Sequence, residues 1–315
     1  MTYVSNDPSH WPYISLIFFF SYWAVAAGVV VVYDWVLTLG QEIELIWRQR
    51  WSLMTVLYLI IRYIGIPYSI VNILEAMPSV SLTDAVSTVT YYAINGSNVA
   101  LTAMLGVIMI ARLHAMYQGS RMMLVFLVII FLAVNIACGV LVAIGLNDIV
   151  LEEFILSGIC ICGDVYGGED QLLPSMVWML NTIWEVLALC LSVWVAVKHF
   201  RELRRLSPST GSTIGDCFRV LIQSHVLYFA SFAGVSGLQF TYLSPEIANT
   251  SSIGVLIVEG VLQILLSIQM FVVGPRLILS VREYHTKLVA YSDAEISMNS
   301  IVFQEHVHVS TSSTV

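Results

Sequence analysis

The sequence predicts an all-α integral membrane protein, a seven-transmembrane-helix bundle with its N-terminus outside and its C-terminus cytoplasmic. Three observations predict it. The chain has 315 residues, 58% hydrophobic and 11% charged, whereas a soluble domain carries about 25% charged residues. Its apolar segments are each long enough to cross a bilayer core, which takes about 20 residues. Its cations and anions are sorted to opposite ends of those segments.

The spans fall at about 13–36, 52–74, 90–114, 122–145, 175–197, 218–241 and 252–275, with edges read from hydropathy alone. Met1 to Pro12 contains Asp7 and no Lys or Arg; it lacks the positive opening of a cleavable signal and is expected to be the translocated end. Odd spans then run inward. On the cytoplasmic side this places Arg48 and Arg50, then Arg112 and Arg121, then Lys198, Arg201, Arg204, Arg205 and Arg219, and finally Arg276, Arg282 and Lys287. Arg62, the thirteenth base, lies inside a span and away from its ends. The outer connections hold acids and no base: Glu75, Asp84, Asp148, Glu152, Glu153, Asp164, Glu169, Asp170 and Glu246. That is the positive-inside distribution.

Span one offers Ala24 and Gly28 at four-residue spacing, a small-xxx-small contact patch; span four offers Asn135, Cys138 and Gly139. Both are expected at the lipid-facing edge. Tyr33 to Trp51 reads as the hinge to span two. In span two, Thr55, Tyr58, Arg62, Gly65, Ser69 and Asn72 recur at spacings of three and four, one face of a helix. Span three contributes Asn95, Asn98 and Thr102; span five Asn181, Glu185, Ala188 and Ser192; span six His225, Tyr228 and Ser231; span seven Glu259, Gln263, Ser267 and Gly274. Lipid cannot satisfy polar groups, so these faces should converge, with the third, fifth, sixth and seventh helices lining the interior. Residues 146–174 form a long outer loop containing Cys160-Ile161-Cys162, and 198–219 a basic inner loop with a flexible Ser207–Ser212 middle. Residues 1–285 make the transmembrane domain. Residues 286–315 are polar, rich in Ser and Thr, and expected to be a disordered cytoplasmic tail.

Tyr33-Asp34-Trp35, Leu37-Thr38-Leu39, Glu42, Ile46-Trp47 and Arg62-Tyr63 resemble the N-terminal signature, at about 13–75, of a large family of fungal membrane proteins. Those proteins are abundant in mushroom-forming species and carry a domain of unknown function. Arg112-Leu113-His114-Ala115-Met116-Tyr117, Glu185, and Gly274-Pro275-Arg276 through Glu283 are similar to later features of the same family. The resemblance covers about the first 285 residues. It implies several membrane helices and, because the family has no established activity, little else.

Arg62 is the most informative residue. An Arg at a helix centre costs about 2.5–3.5 kcal/mol on insertion scales and should have a partner. At 1.5 Å per residue it lies about 18 Å below the outer surface, with Glu185 at about 15 Å and Glu259 at about 10 Å. Glu185 is therefore the expected partner and Glu259 the second candidate. Pro67 cannot donate to the Tyr63 carbonyl, leaving an acceptor near the charge. Two readings stand: a ligand or ion site built on the pair, or an internal salt bridge that fixes packing. Asp34 is expected near the inner end of span one, within reach of Arg48 or Arg50. The candidate ligand-binding set is Arg62, Glu185, Glu259, Asn98, Tyr228 and Gln263.

Other chemistries find little support. His114, His225 and His306-Val307-His308 lack metal-ligand spacing. Lys198 and Lys287 lie outside the spans, which excludes a retinal Schiff base on span seven. There is no Walker loop, dinucleotide glycine pattern, zinc-protease motif or nucleophile elbow, so neither an enzyme nor a cofactor is expected. The basic inner loop suits lipid headgroups, not nucleic acid. Asn249-Thr250-Ser251 is a sequon on the outer side, close to span seven; Asn95-Gly96-Ser97 lies within span three. The reading is a receptor-like or sensory protein that binds a small molecule within the bundle and engages a cytoplasmic signalling protein, at the plasma membrane ahead of internal membranes. Span three ends without Asp-Arg-Tyr and span seven without Asn-Pro-x-x-Tyr. The alternative is a transporter or channel for a small anion or weak acid that uses Arg62.

Overall fold

A computed structural model describes residues 3–49, 51–78, 84–117, 119–148, 150–165, 172–206, 226, 228–239, 253–283 and 286. Among the described residues, six helices are long and apolar enough to cross a membrane. They are α1 (Trp11–Glu42), α2 (Leu53–Ala76), α3 (Asp84–Met116), α4 (Arg121–Asp148), α5 (Leu172–Leu206) and α7 (Ile253–Ile268), which continues helical to Glu283. Of the expected sixth span, residues 228–239 are described; they are helical and are called α6. His225, Arg219, Asn249, residues 207–221 and His306-Val307-His308 lie outside the described residues.

The hinge is shorter than the sequence suggests. Tyr33 to Trp51 is not a connection over most of its length: α1 runs on to Glu42 and passes into a π-helical turn at Ile43–Trp47. No proline interrupts this stretch after Pro12, and a lone glycine, Gly40, costs a helix only about 1 kcal/mol. The chain reverses after Arg48. Ser52 then starts α2 with a reciprocal cap: its hydroxyl accepts the Thr55 N–H at 3.3 Å, and the Thr55 hydroxyl accepts the Ser52 N–H at 3.2 Å. From Trp11 to Trp47 the helix is about 55 Å long at 1.5 Å per residue, well beyond a bilayer core of about 30 Å.

α1 packs against both α2 and α7, α3 against α2 and α4, and α5 against α3 and α4. One apolar core joins α1, α2, α3 and α7 through Tyr58, Ile61, Leu101, Leu105, Phe271 and Ile278; another joins α3, α4, α5 and α6 through Leu113, Leu127, Phe131, Trp184 and Phe229. Small residues allow close approach, the usual device where no solvent drives helices together. A Cβ on Gly260 of α7 would overlap the Trp23 indole of α1, and one on Gly106 of α3 would overlap the Phe131 ring of α4. The outward face of α4 is apolar, with Val125, Ile129, Ile136 and Val140 exposed. That surface suits lipid.

The α4–α5 connection is not all loop. β1 (Tyr3–Ser5) pairs parallel with β2 (Val150–Leu156), and β2 pairs antiparallel with β3 (Ile159–Val165). Ser157 and Gly158 both take positive φ, 51° and 83°, which is the backbone of the two-residue turn that matches strand twist. Cys160 and Cys162 sit opposite Ile155 and Glu153 in the register. The all-helical expectation therefore needs this small sheet added. It ties the N-terminus to the far end of α4.

Candidate functional site

Two polar features lie inside the bundle, and the sequence had merged them. The first is an ion cluster on the α1–α2 hairpin. Arg62 Nη1 lies 3.0 Å from Asp34 Oδ2 and Arg62 Nε 3.3 Å from Glu42 Oε2. Arg62 Nη2 donates to the Trp35 carbonyl at 2.8 Å and to the Thr38 hydroxyl. Glu42 also accepts from Tyr58 (3.3 Å), Tyr63 (3.0 Å) and Trp47 (3.1 Å). Asp34 is shared with α7: Arg276 approaches its Oδ1 to 2.6 Å through Nη2. Two acids meet two guanidiniums, so the cluster is neutral in sum.

This overturns two expected pairings. Arg62 is not partnered by Glu185 or Glu259, and Asp34 pairs with Arg62 and Arg276 where Arg48 or Arg50 was expected. The physical reason is the continuation of α1. Asp34, Thr38 and Glu42, spaced by four residues, form one stripe on an unbroken helix that runs antiparallel to the Tyr58–Arg62 stripe of α2. Counting depth along each helix set the level of Arg62 but not the direction in which it points. The Arg276 end of α7 is fastened by more arginines. Arg282 donates to the Leu45 carbonyl at 2.8 Å and to Ser52 and Thr55, and Arg112 of α3 donates to the Leu277 carbonyl at 3.0 Å.

The second feature is a cavity of about 500 Å³ lined by residues of every helix. It extends from Gly145, Leu146 and Pro174, at the end carrying the sheet, inward to Met109 and Gln269. Its polar lining includes Asn72, Asn95, Asn98, Asn135, Asn181, Gln263 and Ser236, and Glu185 is its only carboxylate among the described residues. Tyr68 donates to Asn98 Oδ1 at 2.7 Å, which fixes that amide. Ser236 of α6 hydrogen-bonds Glu185. Three buried polar atoms at the lining residues have no hydrogen-bond partner: Glu185 Oε2, Trp184 Nε1 and Gln269 Oε1. Glu185 is only 9% exposed, and an unmade hydrogen bond at a buried group costs about 1–3 kcal/mol.

Of the expected site residues, Asn98, Glu185 and Gln263 meet in this cavity. Arg62 does not line it, and its side chain is 2% exposed. Tyr228 packs against the apolar core of α1, α2, α3 and α7 instead. Glu259 faces a second recess with Phe20, Gln239 and Gln263. Spans one and four were assigned to the lipid edge, yet Ala24, Ala27 and Gly28 of α1 and Asn135 and Cys138 of α4 line the cavity. Small side chains on α1 and polar ones on α4 were the signal. Gln269, Met270 and Phe271, also at the wall, lie in a π-turn at Gln269–Val273 whose Gly274 N–H bonds the Gln269 carbonyl. Pro275 follows and has no N–H for the Phe271 carbonyl, and π-turns occur often at functional sites.

Residues 22–67 match the model of a family of unknown function (DUF6533). No curated protein and no solved structure matches the chain. The matched segment is the α1–α2 hairpin, and it carries every member of the ion cluster except Arg276.

Proposed function

We propose that this chain is a receptor-like seven-helix membrane protein, N-terminus outside and C-terminus cytoplasmic, that binds a small molecule in the cavity between its helices. The observation that carries this reading is the cavity itself: about 500 Å³, within the 300–1,000 Å³ typical of ligand sites, with three buried polar atoms left unmatched by protein. The wall also has a mechanical exit. Phe271 lines the cavity, and five residues further along α7 Arg276 grips Asp34, so a shift of the π-turn reaches the inner ends of α1 and α2. The pairing of β1 with β2 supports the proposed sidedness, as does the meeting of Arg112, Arg276 and Arg282 at the opposite end.

Purified protein in lipid nanodiscs, screened by thermal unfolding against small polar aromatic compounds, tests the reading. A ligand of this cavity raises the midpoint of the wild type and loses its effect in Asn98→Leu. A panel that shifts nothing, or shifts that Asn98→Leu leaves unchanged, would sink it. Reporter tags at the two termini should report opposite faces of the membrane.

A further inference from the structure

We infer that the ligand is a small organic cation, a primary or secondary ammonium, held by Glu185. The inference rests on the cavity reading above and names the chemistry of its occupant. Among the described residues Glu185 is the only charged one lining the cavity, and Arg62 and Arg276 are engaged elsewhere. Arg62 is held by Asp34 and Glu42. Arg276 is held by Asp34. Ser236 occupies part of the Glu185 carboxylate, while Oε2 stays without a partner. A buried carboxylate with no cation is unfavourable, and an ammonium supplies the charge and the donor together.

The rest of the wall fits the same ligand. Trp184, next to Glu185 in sequence, packs on Phe131 with ring centroids 5.3 Å apart, and Tyr68 packs on Phe271 at 5.1 Å. All four line the cavity, and aromatic faces attract ammonium groups. The amide oxygens of Gln269 and Gln263 offer further acceptors. An anion would meet the Glu185 carboxylate with no guanidinium or ammonium among the described wall residues to offset it.

Cys138 lines the cavity and is buried, which makes it a built-in reporter. In a variant whose other cysteines are serine, Cys138 is labelled with three methanethiosulfonates: the neutral methyl reagent, the cationic aminoethyl reagent and the anionic sulfonatoethyl reagent. Each rate is divided by the rate with free cysteine. The expected result is labelling by the neutral reagent, an aminoethyl rate at least about tenfold above the sulfonatoethyl rate, and loss of that preference in Glu185→Gln. Equal cation and anion rates, or a preference that survives Glu185→Gln, overturn the cation assignment while leaving the cavity in place. Failure of the neutral reagent to label Cys138 overturns the cavity reading itself. Glu185→Gln keeps the side-chain shape, and its neutral-reagent rate reports whether the cavity has survived the substitution.

Discussion

Asp34 and Arg62 face each other 3.0 Å apart, with side chains 4% and 2% exposed. Asp34 also holds Arg276, whose side chain is 47% exposed. The two salt bridges on one carboxylate therefore sit in different surroundings. Removing one partner of a buried pair costs about 3–5 kcal/mol because the other charge is stranded, whereas an exposed pair contributes about 0–1 kcal/mol. Asp34→Ala and Arg62→Ala should each destabilise by the larger amount and Arg276→Ala by the smaller, in reversible denaturant unfolding of the reconstituted protein. The double change Glu42→Gln with Arg62→Met leaves Asp34 paired with Arg276 and should cost less than Arg62→Ala alone, which strands the buried Glu42 carboxylate. Equal losses for Arg62→Ala and Arg276→Ala would contradict this arrangement.

Glycine positions provide an independent check on the helix packing. A methyl group at Gly260 runs into the Trp23 indole and one at Gly106 into the Phe131 ring, while Gly139 has nothing within 4 Å. Overpacking costs about 1–3 kcal/mol. Gly260→Ala and Gly106→Ala should fall in that range. Gly139→Ala lies mid-helix in open space and should be neutral or stabilising, because alanine is the better helix former. A large loss at Gly139 with none at Gly260 would mean that the helices are arranged differently.

Much of this architecture is legible in the sequence, and the exceptions share a cause. The Thr55, Tyr58, Arg62, Gly65 and Ser69 stripe is buried as its period requires, because a polar face on an apolar helix has only one acceptable direction. The need of Arg62 for a partner was equally plain; the partner's identity was not. Ending span one near residue 36 puts Asp34 at the inner surface, below the level of Arg62, so depth alone favours Glu185. Charged residues after Val32 look like a loop, yet Asp34, Thr38 and Glu42 repeat every four residues and continue the helix. Asn98, Glu185 and Gln263 line one cavity because polar stripes converge. Tyr228 packs against the core of α1, α2, α3 and α7, and Glu259 lines a separate recess. The strands at 150–165 went unread for a different reason: Ser157-Gly158 is a recognised turn signal, but it fell between two spans where a loop was sufficient.

The π-turn in α7 yields the last prediction. Gly65 lets the Phe271 ring press against the α2 backbone: a Cβ there would stand 2.8 Å from Phe271 Cδ1. Phe271 is buried, lies within the π-turn and lines the cavity, so pushing it moves the segment that ends at Arg276. Gly65→Ala should therefore act in two places. Global stability should fall by about 1–3 kcal/mol, and hydrogen exchange should rise across residues 269–276 as well as in α2. The comparison with Gly28→Ala separates the two effects, since a Cβ at Gly28 meets Ile73 of α2 and not α7. If both variants loosen α2 alike and neither changes exchange at 269–276, Phe271 is ordinary core packing, and the route from cavity to Asp34 fails at its first step. If Gly65→Ala alone loosens 269–276, the π-turn is the element whose position responds to what fills the space beside it.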